Sequence, residues 1–134
     1  METLVFELSE PADNAQVVFG VRRLLTRMGF DKSHQYLIAS AVSELSTNII
    51  RYGRQGSITL RQISIGGKTG FEVIARDSGP GIADIQKALT ENYSTGKGLG
   101  LGLPSVKRIM DTFDIQSWPG QGTVVHAIKW LTHV

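Results

Sequence analysis

The residue types best suited to chemistry fall in three short segments of the chain. The first contains Glu44 and Asn48, four residues apart in a stretch with helical periodicity. That spacing stacks the carboxylate and the amide on one face of a helix. So short a spacing is by itself typical of a solvated polar face or a local hydrogen-bonded pair. The functional interpretation is a base beside an amide ligand for Mg²⁺, a cation that prefers oxygen ligands and completes its shell with water and nucleotide phosphates.

The second segment, Asp77-Ser78-Gly79-Pro80-Gly81-Ile82, directly follows a predicted strand. An acidic residue at a strand end, followed by two glycines, provides a fixed hydrogen-bond acceptor beside a backbone that a planar ligand can approach closely. The same residues are also compatible with a tight turn that only connects a strand to a helix.

The third segment covers residues 96–104 and has glycines at alternate positions, Gly-Lys-Gly-Leu-Gly-Leu-Gly-Leu-Pro. Alternating glycines let backbone N–H groups converge, and a helix starting at Pro104 adds unpaired donors, so the segment predicts a phosphate cradle. A flexible linker would not need leucines between its glycines. The dinucleotide fingerprint does not fit, because no strand precedes it. The Walker motif fails because Gly98 stands where a Ser or Thr is required.

Hydrophobic periodicity predicts the elements that position these segments. Strands are expected at residues 3–8, 57–65, 71–77, 113–118 and 123–130, and helices at 13–28, 34–52, 82–89 and 104–110. Ser33 is the candidate cap of the second helix, and residues 66–70 are expected to form a hairpin turn. This order predicts a layered α/β sandwich with one largely antiparallel sheet.

Composition narrows the classes of protein that remain. A chain of 134 residues with 41% hydrophobic residues predicts a single folded domain over positions 1–134. A formal charge of +2 does not indicate a nucleic-acid partner, and the absence of cysteine excludes disulfides and thiolate chemistry. With no signal sequence or apolar run suited to a membrane, we expect a cytoplasmic location. The arginines near Arg22 and Arg51 favour a solvated or protein-docking face.

Taken together and in this order, the three segments resemble the N, G1 and G2 boxes of the GHKL ATPases, the group that contains gyrase, Hsp90, histidine kinases and MutL. Within that group the chain is similar to the small serine/threonine kinases and anti-sigma factors of bacterial partner-switching systems. The similarity extends over nearly the whole chain, including residues 43–49, 77–82, 98–111 and 127–131. It implies an α+β fold of the GHKL (Bergerat) type: a two-layer α/β sandwich with one mixed, mostly antiparallel sheet and helices on one face.

The resemblance also implies a site with ATP and Mg²⁺ as cofactors. Glu44 would be the catalytic residue, Asn48 would bind Mg²⁺, and Asp77 would accept a hydrogen bond from the adenine amino group. The remaining nucleotide-binding positions implied are Gly79, Gly81, Ile82, Lys97, Gly98, Leu99, Gly100, Leu101, Gly102 and Thr123, the last supporting the contact between Asp77 and adenine. One departure leaves the role of Arg51 open: Asn48-Ile49-Ile50-Arg51-Tyr52 lacks the histidine often found four residues after the box asparagine.

The function implied is that of an ATP-dependent protein serine/threonine kinase of a stress-response partner-switching system. Its substrate would be a STAS-domain antagonist protein, and the free kinase would activate a PP2C-type phosphatase. The alternative is an anti-sigma factor that sequesters a sigma subunit. Neither nucleic acid nor a membrane is expected as a partner. Phosphoryl transfer demands little covalent chemistry of the protein, so a metal ligand, a glycine lid and one carboxylate can suffice.

Overall fold

The computed structural model describes residues 3–90 and 102–132. In chain order its elements are β1 (Thr3–Leu8), α1 (Asp13–Met28), α2 (Lys32–Tyr52), β2 (Gly56–Ile65), β3 (Lys68–Asp77), α3 (Ile85–Ala88), α4 (Leu103–Ile109), β4 (Thr112–Trp118) and β5 (Gly122–Trp130). Within these residues, none of the helices has the length and apolar character needed to cross a membrane.

The five strands form one open sheet in the order β1-β2-β3-β5-β4. All four strand pairings are antiparallel. The predicted α+β fold with one mostly antiparallel sheet is therefore confirmed. The crossover in the order, which places β5 between β3 and β4, brings the end of β3 next to the start of β5.

The hydrophobic core lies between one face of this sheet and the helices. Leu60, Val73 and Ala127 stand side by side in the register of β2, β3 and β5, and all three are fully buried. They pack with the apolar stripes of α1 and α2, which include Val21 and Leu45. Because the stripe of α2 is held against the sheet, the polar positions of its C-terminal half are placed beside the ends of β3 and β5.

The opposite face of the sheet carries a charged cluster formed by Arg61, Glu72 and His126. Glu72 is nonetheless only 6% exposed. Its Oε1 accepts a hydrogen bond from Nε of Arg61 at 2.7 Å, and its Oε2 lies 2.7 Å from Nε2 of His126. Each carboxylate oxygen therefore has a partner from a neighbouring strand, which compensates the cost of burying the charge.

Three boundaries differ from the sequence-based expectations. Asp31, rather than Ser33, caps α2, because its Oδ1 accepts the hydrogen bond from the N–H of His34 at 2.8 Å. The hairpin turn between β2 and β3 shrinks to Gly66 and Gly67, which both have positive φ, as a two-residue turn of this kind requires. Helix α4 begins at Leu103, one residue before the proline.

The third predicted helix is the least accurate expectation. It was expected to span residues 82–89, whereas α3 covers only Ile85–Ala88. The N–H of Ile82 donates to Oγ of Ser117 at 2.6 Å, so the chain at this point is held against β4 instead of entering a helix. Asp84 then caps the short helix by accepting from the N–H of Lys87 at 3.0 Å.

Candidate functional site

A cavity of about 440 Å³ lies between α2, the ends of β3 and β5, α3 and the start of α4. Its wall is mainly apolar, with contributions from Leu45, Ile49, Ala75, Leu103 and Val125. A few polar side chains interrupt that wall. Ligand pockets are commonly about 300–1,000 Å³ and combine an apolar wall with a few placed polar groups, so this cavity has the size and character of a small-molecule site.

Most of the predicted site residues that the structure describes meet at this cavity. Asn48 from α2, Asp77 from the end of β3, and Thr123 from the start of β5 all line it, together with Gly81 and Ile82. Three segments far apart in sequence therefore share one wall. The predicted positions Lys97, Gly98, Leu99, Gly100 and Leu101 lie outside the described residues.

Asp77 is one of two acidic residues that line the cavity, the other being Asp84, and two backbone donors hold Asp77 in place. Its Oδ1 accepts hydrogen bonds from the N–H of Gly79 at 2.9 Å and from the N–H of Thr123 at 3.3 Å. Burial raises the pKa of the Asp77 carboxyl above its usual value, and the two N–H donors partly offset that rise. Within the described part of the chain, Oδ2 accepts no hydrogen bond, so it remains available to a ligand donor.

The loop after Asp77 is fastened to its surroundings at three points. The N–H of Ser78 donates to the carbonyl of Gln55 at 3.1 Å, and the carbonyl of Pro80 accepts from the N–H of Gly120 at 2.8 Å. The third point is the hydrogen bond from Ile82 to Ser117 in β4. This loop is consequently a rigid wall of the cavity rather than a simple connection between a strand and a helix.

Two glycines of this loop are required by close backbone contacts. A Cβ on Gly79 would lie 2.5 Å from the carbonyl oxygen of Tyr52. A Cβ on Gly81, whose φ is +81°, would lie 2.7 Å from the carbonyl oxygen of Trp118. Any side chain at either position would force the loop away from α2 or β4. Gly81 lines the cavity directly. Gly79 does not line it, but its close approach to Tyr52 sets the position of the loop that does.

Glu44 occupies a different place from the other predicted residues. It does not line the cavity. Its carboxylate lies against Gly102, so closely that a Cβ on that glycine would overlap it. Gly102 has a φ of +66° and immediately precedes Leu103, which does line the cavity. Glu44 therefore stands where the glycine-rich segment enters α4.

Sequence reasoning missed several residues of the site. Ser117 connects the loop to β5, because its Oγ lies 2.9 Å from Oγ1 of Thr123 while accepting from the N–H of Ile82. No motif marks a serine in an edge strand, so the sequence held no signal for it. Tyr52 and Lys87 also line the cavity. Tyr52 follows Asn48 by four residues in α2, and that helical spacing was a signal for it.

A metal ion at this site would depend on the ligand as well as on the protein. Within residues 3–90 and 102–132, no group of three His, Cys, Asp or Glu side chains is arranged to hold a metal. Mg²⁺ commonly takes one or two protein oxygens and fills its remaining positions with water and phosphate. The amide oxygen of Asn48 in the cavity wall fits that pattern.

The antiparallel sheet beneath α2, with a cavity at the ends of β3 and β5, has the architecture of the GHKL class of ATPase domains. The profile of the histidine kinase-like ATPase domain matches residues 8–129, and the chain belongs to that family. It is 46% identical over 110 residues to the serine/threonine-protein kinase RsbT of Bacillus subtilis (strain 168), covering 82% of this chain and 83% of that protein.

Two further comparisons concern a second group of sequence relatives and a solved structure with the same fold. An anti-sigma F factor of Thermoanaerobacter sp. (strain X514) is 37% identical over 100 residues, covering 70% of this chain and 68% of that protein. The solved structure of the RsbU and RsbW domains of a Mycobacterium tuberculosis protein shares the fold, with a TM-score of 0.62 and 17% identity over 96% of this chain and 32% of that longer chain. The relatives confirm the predicted class, a serine/threonine kinase of the GHKL type.

Proposed function

We propose that this chain transfers the γ-phosphate of Mg²⁺-bound ATP to a serine or threonine of a STAS-domain antagonist protein. The observation that supports this most directly is the convergence of Asn48, Asp77 and Thr123 on one cavity, with Glu44 beside the adjoining start of α4. The 46% identity to a protein named as a serine/threonine kinase supports the same reaction.

Asp77 is proposed to select the base of the nucleotide. With Oδ1 held by Gly79 and Thr123, Oδ2 is the oxygen left to accept a hydrogen bond from the adenine amino group. The contact from Ser117 to Thr123 keeps β5 in the position that this arrangement needs. A guanine carbonyl at the same place would face a carboxylate, so GTP is expected to bind less well.

Asn48 is proposed to hold Mg²⁺ through its amide oxygen. When bound, the ion would neutralise charge on the phosphates of ATP. Gly102 and the preceding Lys97, Gly98, Leu99, Gly100 and Leu101 are proposed to cover those phosphates with backbone N–H groups. An enclosed site of this kind excludes water from the reaction and strengthens electrostatic contacts within it.

Glu44 is proposed to act on the acceptor hydroxyl rather than on the nucleotide. Its carboxylate lies against Gly102, next to the cavity wall and outside the lining of the base pocket. A carboxylate in that place can accept the proton of a serine or threonine hydroxyl as it approaches the phosphate. Its contribution should therefore appear in turnover and not in nucleotide affinity.

The test is a phosphotransfer assay with a purified STAS-domain protein from the same genome, followed by mass spectrometry of the acceptor. Glu44→Gln should slow transfer by about 10²–10⁴-fold, the usual contribution of a general base, with ATP affinity nearly unchanged. Glu10→Gln, at an exposed position before α1, is the matched control and should transfer normally. Wild-type turnover in Glu44→Gln would remove Glu44 from the mechanism.

A second candidate function is sequestration of a sigma subunit, supported by the 37% identity to an anti-sigma F factor. Native electrophoresis with both candidate partners and ATP·Mg²⁺ separates the two functions. A kinase should modify and then release the STAS protein, because phosphate brings about −1.5 to −2 charges to the interface. Retention of a sigma subunit, with the STAS protein unmodified, would favour the anti-sigma function.

We further propose that the chain, once free of its antagonist, binds and activates a PP2C-type phosphatase. That role needs a surface and no chemistry, so it should persist in Glu44→Gln. Measuring dephosphorylation by the purified phosphatase with and without the variant tests it. We also propose a cytoplasmic location and a single domain over residues 1–134.

A further inference from the structure

A second concave surface lies between α1 and β1, remote from the candidate nucleotide site. It encloses about 480 Å³, and Leu4, Phe6, Gln16, Phe19, Gly20 and Arg23 contribute to its lining. None of these residues lines the cavity at Asp77. A partner could therefore occupy this groove while nucleotide is bound.

The groove is formed by apolar side chains that are not fully buried in the hydrophobic core. Phe19 is 64% exposed, although it lies in the middle of α1. Leu4 and Phe6 pack only partly against the core and form the β1 side of the groove. A Cβ on Gly20 would lie 2.6 Å from Cζ of Phe6, so the absence of a side chain there is what allows Phe6 to approach α1.

Phe19 is paired with a cation on its own helix. The guanidinium carbon of Arg23 lies 5.8 Å from the centre of the Phe19 ring, within the range of a cation–π contact. This contact restrains two long side chains before any partner arrives, which lowers the entropy cost of binding. Exposed aromatic and arginine side chains beside an apolar groove are typical of the residues that carry binding energy at protein interfaces.

The charge of α1 indicates which kind of partner fits. Arg22, Arg23 and Arg27 all lie on its exposed surface. The only acidic residue of the helix is Asp13, whose carboxylate accepts hydrogen bonds from the N–H groups of Ser9 and Glu10. An acidic partner complements this surface. Symmetric pairing of two copies would instead bring arginines against arginines, which is unfavourable.

The position of β1 adds main-chain contacts to those of the groove. Among the described strands, β1 forms one edge of the sheet, with β2 on one side only. Val5 in this strand is 58% exposed. An exposed edge strand with apolar side chains is a known template for pairing with an extended segment of another protein.

We propose that α1 and β1 form a docking surface for an acidic segment of another protein that carries bulky apolar side chains. The apolar side chains enter the groove beside Phe19, and the acidic ones face Arg22 and Arg23. Pairing along β1 aligns the segment. This surface is separate from the phosphotransfer site, and its existence does not depend on the proposed reaction.

Binding can be tested with a synthetic 12-residue peptide that alternates glutamate with leucine or phenylalanine. Titrated to 1 mM against ¹⁵N-labelled protein, it should shift the amide signals of Phe6, Gly20 and Arg23 in a saturable manner and leave those of Asp77 and Thr123 in place. Phe19→Ala and Arg23→Glu should each weaken binding at least fivefold. Tyr36→Ala and Lys32→Glu, at exposed positions of α2, are the matched controls and should bind like the wild type.

Two control peptides define what would overturn the proposal. A peptide with lysine in place of glutamate, and one with serine in place of leucine and phenylalanine, should both fail to bind. Equal binding of the lysine peptide, or no saturable shift with the acidic one, would refute an acidic partner. Competition by a single-stranded 20-mer DNA would also refute the proposal, because it would assign the surface to nucleic acid. A wild-type dimer in sedimentation that Phe19→Asp dissociates would refute it too, because it would assign the surface to a second copy of the chain.

Discussion

Replacing Asp77 with asparagine tests the candidate site most sharply, because the affinity for ATP should fall while the stability of the nucleotide-free fold should rise. Asparagine retains an oxygen that can accept from the N–H groups of Gly79 and Thr123. In place of Oδ2, however, it presents an amide N–H₂ to the cavity. A donor then meets the donor of the adenine amino group, and the charge of the acceptor is lost as well.

The expected loss of ATP affinity follows from the strength of that contact. A hydrogen bond to a charged acceptor contributes about 1.5–3 kcal/mol, so the dissociation constant should rise about 10- to 100-fold. Stability should change in the other direction. Because burial raises the pKa of Asp77, its ionised form disfavours folding at neutral pH, and the uncharged asparagine avoids that cost.

The pH dependence of the stability difference has a definite sign. An aspartate whose pKa is raised in the folded state stabilises the fold when it is protonated, and that contribution is lost as pH rises from its ordinary pKa through the raised value. Asp77→Asn should therefore melt at a higher temperature than the nucleotide-free wild type at pH 7. The difference should disappear at a pH below the ordinary pKa of aspartate.

Titration calorimetry with ATP and thermal melting from pH 3 to pH 8 make both measurements. Asp114→Asn, at an exposed position of β4, is the matched control and should change neither property. Equal ATP affinity in Asp77→Asn and the wild type would refute the assignment of Asp77 to the base. Weaker binding with a lower melting temperature at pH 7 would refute the argument from burial, since it would indicate general damage to the fold.

Three further predictions concern the support of the site and of α2. Ser117→Ala should leave the N–H of Ile82 without its hydrogen-bond acceptor. The free energy of unfolding should therefore fall by about 1–3 kcal/mol in chemical denaturation, and ATP binding should weaken in calorimetry. Unchanged values for both would exclude a supporting role for Ser117. Gly81→Ala should abolish measurable ATP binding, because its Cβ would lie 2.7 Å from the carbonyl oxygen of Trp118; wild-type affinity would show that the loop can yield at little cost. Asp31→Ala should lower the melting temperature at pH 7 through loss of the α2 cap. Because hydrogen bonds from the N–H and ring of His34 lower the pKa of Asp31, that difference should shrink as the pH falls through its folded-state pKa, and a constant difference from pH 7 to pH 2 would contradict this.

The amino-acid sequence by itself determined the elements that depend on local periodicity. The apolar stripes of α1 and α2 and the alternation in β2 and β3 predicted these elements within a few residues, because burial of one face dictates where apolar residues recur. The three-part motif, taken in order, also indicated the GHKL family that the comparisons confirm. The resemblance to that family implied Asn48, Asp77, Gly81, Ile82 and Thr123, all of which the structure places in one cavity wall.

What only the tertiary structure decided is how distant segments meet. The sheet order places β5 beside β3, so Thr123 reaches Asp77 and Ser117 reaches Ile82 across 46 and 35 residues of sequence. That second contact shortened the predicted helix at residues 82–89, because a hydrogen bond to β4 replaced the first turn. The tertiary fold likewise placed Glu44 against Gly102 rather than in the cavity, and left Phe19 exposed. Local periodicity carries no information about contacts between distant segments, since each depends on which elements become neighbours in the fold.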